Sequence, residues 1–173
     1  MRAKLFVLGL AVSLVFTAQS WASSPLDSCG AKGASFQITK QKGDPVPNSP
    51  SPDKAMLIFV QRNERCVGCS VTRMGVDGAW VGANKGDSYF AVAVAPGEHH
   101  VCANWGAPLA RTESKIELTD FQAEAGKVYY FETEVASYGQ NSAPQMNLKR
   151  LSSDEGAFLV SRSEMAVATP KQK

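Results

Sequence analysis

Residues 71–84 read VTRMGVDGAWVGAN, and the Asp77-Gly78 pair at their centre decides the fold. Asp-Gly between apolar and β-branched runs is a two-residue hairpin signal, because both turn positions must adopt positive φ. Residues 71–76 and 79–82 are therefore expected to pair as strands. Upstream, residues 55–62 (AMLIFVQR) open with six consecutive apolar positions, as in a strand covered on both faces. Downstream, a turn at 84–88 leads into residues 89–95, where Phe90, Val92 and Val94 share a face. Pro96-Gly97 then turns the chain into residues 99–105, where Val101, Ala103 and Trp105 share a face.

Farther on, residues 114–118 alternate more weakly. Glu124-Ala125-Gly126 precedes residues 128–136, in which Tyr129, Phe131 and Val135 point one way and Glu132 and Glu134 the other. Residues 145–151 read as the last strand. One helix is expected after them, with Ser152 as cap and Glu155 at the third helical position. Phe158, Leu159 and Arg162 recur at helical spacing, against the weakening effect of Gly156. Seven or eight short strands with closely spaced turns and one short C-terminal helix predict an all-β fold, an antiparallel β-sandwich. A closed barrel is the alternative.

Around this body the organisation is simple. Residues 1–22 have Arg2 and Lys4, then a twelve-residue apolar run at 5–16, then Ser20-Trp21-Ala22. That is the layout of a secretory signal peptide cleaved after Ala22. The run is shorter than the roughly 20 residues of a spanning helix, so no stable transmembrane segment is expected after cleavage. Residues 23–53 read as an N-terminal arm, with a strand candidate at 35–39, followed by a tether carrying Pro45, Pro47, Pro50 and Pro52. The compact domain is expected over 54–164 and a disordered tail over 165–173.

Charge narrows the partners. Removing Arg2 and Lys4 from the 18 basic residues leaves 16 against 16 acidic ones, a neutral chain. Phosphate binding needs a clustered basic surface, so no nucleic acid is expected as a partner. A polybasic membrane patch is disfavoured for the same reason.

Four cysteines follow the signal: Cys29, Cys66, Cys69 and Cys102. An even number in an exported chain reads as two disulfides with three connectivities. The expected pairing is Cys66 with Cys69, closing a tight loop, and Cys29 with Cys102, tying the arm to the core. Leu26-Asp27-Ser28-Cys29 loosely resembles a lipidation box, but Asp27 fits it poorly and Cys29 lies thirteen residues beyond Phe16.

The runs KAMLIFVQR, VTRMGVDGAWVGANKGDSYFAVAVAPGEHH, AEAGKVYYFETEV and LSSDEG, in that order, resemble the bacterial domain of unknown function 2846. The resemblance covers residues 54–164. It implies an exported protein, often lipid-anchored or periplasmic, and no assigned reaction or ligand. Cys66-Val67-Gly68-Cys69 stands outside that pattern.

Three sets of residues could carry chemistry. The CxxC at Cys66 and Cys69 precedes a β-prone run, not the helix that lowers a redox thiol's pKa, and reads as a loop staple. His99 and His100 are the only histidines. His100 and Cys102 share a strand face, and with Cys66 and Cys69 they could hold zinc only as reduced thiols. The bland reading has His99 bonding across the turn and packing on the core. Among the aromatics Trp80, Tyr89, Trp105, Tyr129, Tyr130 and Tyr138, Trp80 and Tyr89 are the candidate ligand contacts, and Trp105 is expected in the core. Glu113, Glu117, Asp120, Glu124, Glu132 and Glu134 read as a solvated sheet face. No catalytic residue, metal or cofactor is assigned. The function expected is that of a non-catalytic exported module, periplasmic or extracellular, binding or scaffolding an envelope protein or glycan. A metal-binding or thiol–disulfide module built on the CxxC loop is the alternative.

Overall fold

The computed structural model describes residues 29–31, 34–42, 50–62, 71–106, 115–136 and 145–171. These form ten strands and one helix: β1 (Phe36–Gln41), β2 (Ala55–Gln61), β3 (Thr72–Val76), β4 (Ala79–Asn84), β5 (Ser88–Val94), β6 (Gly97–Trp105), β7 (Lys115–Ala123), β8 (Val128–Ala136), β9 (Gln145–Leu151), α1 (Ser153–Ser161) and β10 (Glu164–Pro170). They build a six-stranded sheet, β1-β10-β5-β2-β8-β9, and a four-stranded sheet, β4-β3-β6-β7. The fold is the expected all-β sandwich. Most pairs are antiparallel, but β2 runs parallel to β8 and β10 parallel to β5.

The hairpin forms where Asp-Gly requires it. Asp77 has φ 50° and Gly78 φ 79°, so both turn residues are left-handed and the strands keep their right-handed twist. From here β3 lies between β4 and β6. Between the sheets, Leu57, Phe59, Phe90 and Phe131 face Met74, Val101, Ala103 and Trp105. Phe121 of β7 closes the gap, with its ring edge-on to Phe131 and Tyr129 at 5.2 Å each.

The apolar run in β2 is buried on both faces, as its sequence predicts. Leu57 and Phe59 point into the sandwich, while Ile58 and Val60 form a second cluster with Tyr89 on the far side. Leu159 and Val160 of α1 and Met165 of β10 cover that cluster. Burying a side chain of this size contributes roughly 1.5–3 kcal/mol. The helix starts where expected, with the Ser152 hydroxyl accepting from the Glu155 N–H at 3.3 Å.

The structure corrects the expected layout at both ends of the domain. Residues 165–170, expected in a disordered tail, form β10 together with Glu164. That strand pairs along its length with β1, from Phe36 opposite Pro170 to Gln41 opposite Met165. The arm is therefore partly a sheet strand, and the domain takes in residues before 54. Of the proline-rich tether, residues 43–49 lie outside the described residues, as do residues 1–28. Among the described residues no helix is long and apolar enough to cross a membrane.

Candidate functional site

The outer face of the four-stranded sheet brings together Cys29, Cys102 and Trp80, three of the side chains singled out in the sequence. Cys29 is bonded to Cys102 of β6, with Cα atoms 5.3 Å apart. The bond draws the arm tightly across β3, where a side chain at Gly75 would collide with the Cys29 carbonyl. The Trp80 indole N–H donates to the Ala31 carbonyl at 2.9 Å. Arg73 lies 4.7 Å from the Trp80 ring centroid, donates to the Ala34 carbonyl, and donates through Nε to Asn104 Oδ1 at 3.1 Å. Burial lowers the Arg73 pKa below its ordinary value. One cation thus joins β3, β6, the indole and the arm.

At the other end of β6 the two histidines take separate carboxylates. His99 Nδ1 lies 2.6 Å from Asp77 Oδ2 and Nε2 lies 2.7 Å from the Ala95 carbonyl. The His99 ring is buried against Phe121 at 5.7 Å. This is the turn-spanning, core-packed arrangement that the sequence suggested. Burial opposes charge on His99, yet the Ala95 carbonyl and the Asp77 carboxylate outweigh it and raise the pKa above the ordinary value. His100, on the exposed face, has Nδ1 2.6 Å from Asp120 Oδ1, and this hydrogen bond raises its pKa. Both His99 nitrogens are engaged by oxygen acceptors, so that ring holds its protons and has no nitrogen open to a substrate.

The proposed zinc set is not assembled by these residues. Cys102 sulfur is spent in its bond to Cys29, and the His100 ring is bonded to Asp120. Cys66 and Cys69 lie outside the described residues, and among those described no three His, Cys, Asp or Glu side chains converge.

The two candidate contact residues separate. Trp80 is half-buried against the arm, whereas Tyr89 is 4% exposed and packs with Ile58 and Val60. They do not form one exposed aromatic patch. Trp105 is in the core, as expected, and Tyr129 is buried there too. Tyr138 lies outside the described residues. The acidic stretch is also only partly solvated: Glu132 is 1% exposed and pairs with Arg62.

An open depression of about 310 Å³ lies between β8, β9 and the start of α1. Lys127, Tyr129, Arg150 and Ser152 line it, with Arg150 4.8 Å from the Tyr129 ring and the Tyr129 hydroxyl accepting from the Glu124 N–H. Asp77 and Arg150 escaped the sequence reading as site residues. Only the Asp-Gly turn marked one of them, and it marked a bend, not a histidine partner. Comparison with protein-family models, with curated proteins and with solved structures finds no match for this chain.

Proposed function

We propose that this chain is an exported, non-catalytic binding or scaffolding module of the cell envelope. The observation that carries the proposal is the Cys29–Cys102 bond, which ties the arm to the second sheet. Such bonds form and persist in oxidising compartments. The basic start and apolar run of residues 1–22 agree with that location. The motif order over residues 54–164 is in keeping with an exported bacterial family. The reactive side chains of this sheet, His99 on its inner face and Cys102 and Arg73 on its outer one, are used to hold elements together. Trp80 is the aromatic residue left at the rim for a protein or glycan partner, while Tyr89 serves packing.

The test is expression of the full chain in a bacterial host, followed by fractionation, intact mass and crosslinking. A periplasmic or secreted product beginning at Ser23, with Cys29 linked to Cys102 and an envelope protein or glycan crosslinked through the Trp80 face, is expected. An unprocessed cytoplasmic product with free Cys29 and Cys102, or repeated crosslinking that recovers no envelope component, overturns the proposal.

A further inference from the structure

Six polar side chains form one layer inside the sandwich. On the six-stranded sheet Gln61 stands opposite Ser88 on one side and Thr133 on the other. On the four-stranded sheet Thr72 stands opposite Asn84 and Trp105. Each row continues the alternation of inward-facing core residues: Leu57 and Phe59 before Gln61, Tyr129 and Phe131 before Thr133, Val101 and Ala103 before Trp105. The Asn84 amide donates to the Phe59 carbonyl at 3.0 Å, which links the rows across the gap. None of the six is more than 2% exposed.

Much of their hydrogen-bonding capacity is unused. Gln61 Oε1, Thr72 Oγ1, Asn84 Oδ1, Trp105 Nε1 and Thr133 Oγ1 are buried without a partner among the described residues. Buried polar atoms in folded proteins are nearly always bonded, to a bound molecule where not to the chain. Five in one layer mark a place built to be hydrogen-bonded.

The donor and acceptor inventory says by what. The bond to Phe59 fixes the Asn84 amide, so Oδ1 is an acceptor that needs a donor. The Trp105 indole can only donate, and the two threonine hydroxyls do both. A hydroxyl is the smallest group that answers all of these. The layer itself contains no ionisable side chain, since Glu132 lies on the opposite face of β8 with Arg62. A charged ligand would therefore sit unpaired in the interior at prohibitive cost.

We propose that this layer is a binding site for small uncharged hydroxylic molecules, held between Gln61, Thr72, Asn84, Trp105 and Thr133. Water and the hydroxyls of a neutral polyol share that chemistry. The site is independent of the envelope role proposed above.

Three measurements on the full-length protein test it. Oxygen-17 relaxation dispersion of the wild type reads long-lived internal water. Thermal shift against glycerol and glucose reads polyol binding, taken as real only if it saturates and is lost in Thr72→Val. Thr72→Val and Thr133→Val keep side-chain volume while deleting a hydroxyl. A lowering of Tm by about 2–4 °C in each is expected if those hydroxyls bond a ligand. Long-lived water identifies water as the occupant; a saturable, Thr72-dependent shift identifies a polyol; either supports the proposal. No long-lived water, no saturable shift and valine variants at least as stable as wild type overturn it, because deleting a truly unpaired buried hydroxyl is neutral or stabilising.

Discussion

Asp77 and His99 meet at 2.6 Å between Oδ2 and Nδ1, so that the tip of the β3–β4 hairpin is clamped to the start of β6. The same carboxylate accepts the His100 backbone N–H through Oδ1 at 2.9 Å, and the Asp77 N–H donates to the His100 carbonyl at 2.9 Å. A residue chosen for its left-handed turn thereby also supplies the counter-charge for a buried imidazolium.

That clamp makes stability depend on pH. His99 has a folded pKa above its unfolded value near 6.5, so its contribution is complete below about pH 6.5 and is lost as pH rises through the folded value. For Asp77 burial pushes upward, but the His100 N–H and His99 outweigh it and lower the folded pKa. Its contribution is present above about pH 3.8 and is lost as pH falls through the folded value. Urea unfolding should therefore show stability falling as pH rises from about 6.5 through the folded His99 value, an effect weakened by the exposure of the Asp77 carboxylate. Asp77→Asn, which tolerates the turn, should shrink that slope without abolishing it, because the Ala95 carbonyl still bonds His99 and Asp120 still bonds His100; an unchanged slope in the variant would refute the assignment.

The Cys29–Cys102 bond spans 73 residues of sequence. Closing a loop of that length is worth about 4 kcal/mol on chain-entropy grounds. The double variant Cys29→Ser, Cys102→Ser should lose about 2–4 kcal/mol in denaturant melts, with faster amide exchange at residues 29–31. Non-reducing peptide mapping should recover the two cysteines in one linked species.

Gly156 is the buried position of α1, and a side chain there would run into the Tyr130 ring. Replacing a helix-interior glycine by alanine ordinarily gains about 1 kcal/mol. Gly156→Ala should instead destabilise, by about 1–3 kcal/mol, because the helix must lift off β8 to admit the methyl. Chemical denaturation reads the sign directly.

Arg62 and Glu132 make an unequal pair, with side chains 43% and 1% exposed. Glu132 Oε2 has no partner among the described residues. Arg62→Ala strands a buried carboxylate and should cost about 2–3 kcal/mol. Combining it with Glu132→Gln should recover part of that loss, and a double variant no better than the single one would contradict the pairing.

Several features were legible in the sequence because their causes are local. The Asp77-Gly78 turn, the doubly covered β2 and the Ser152 cap each follow from conformational preference or period within a few neighbouring residues. Glu132 was read correctly as facing away from Phe131, but not as buried. Its partner Arg62 lies two residues after Val60, and the parallel β2–β8 register sets Val60 beside Glu132.

What the chain alone determined is thus the list of strands through residue 151, the helix after them, and the faces of the core-forming strands. Tertiary structure alone decided that residues 164–170 join β1 and β5, that Asp77 meets His99, and that six polar side chains share an interior layer. Turn type and alternation are written in adjacent residues, where sterics and periodic burial act. Strand order and register arise from contacts between distant segments, and no short window of sequence contains both partners.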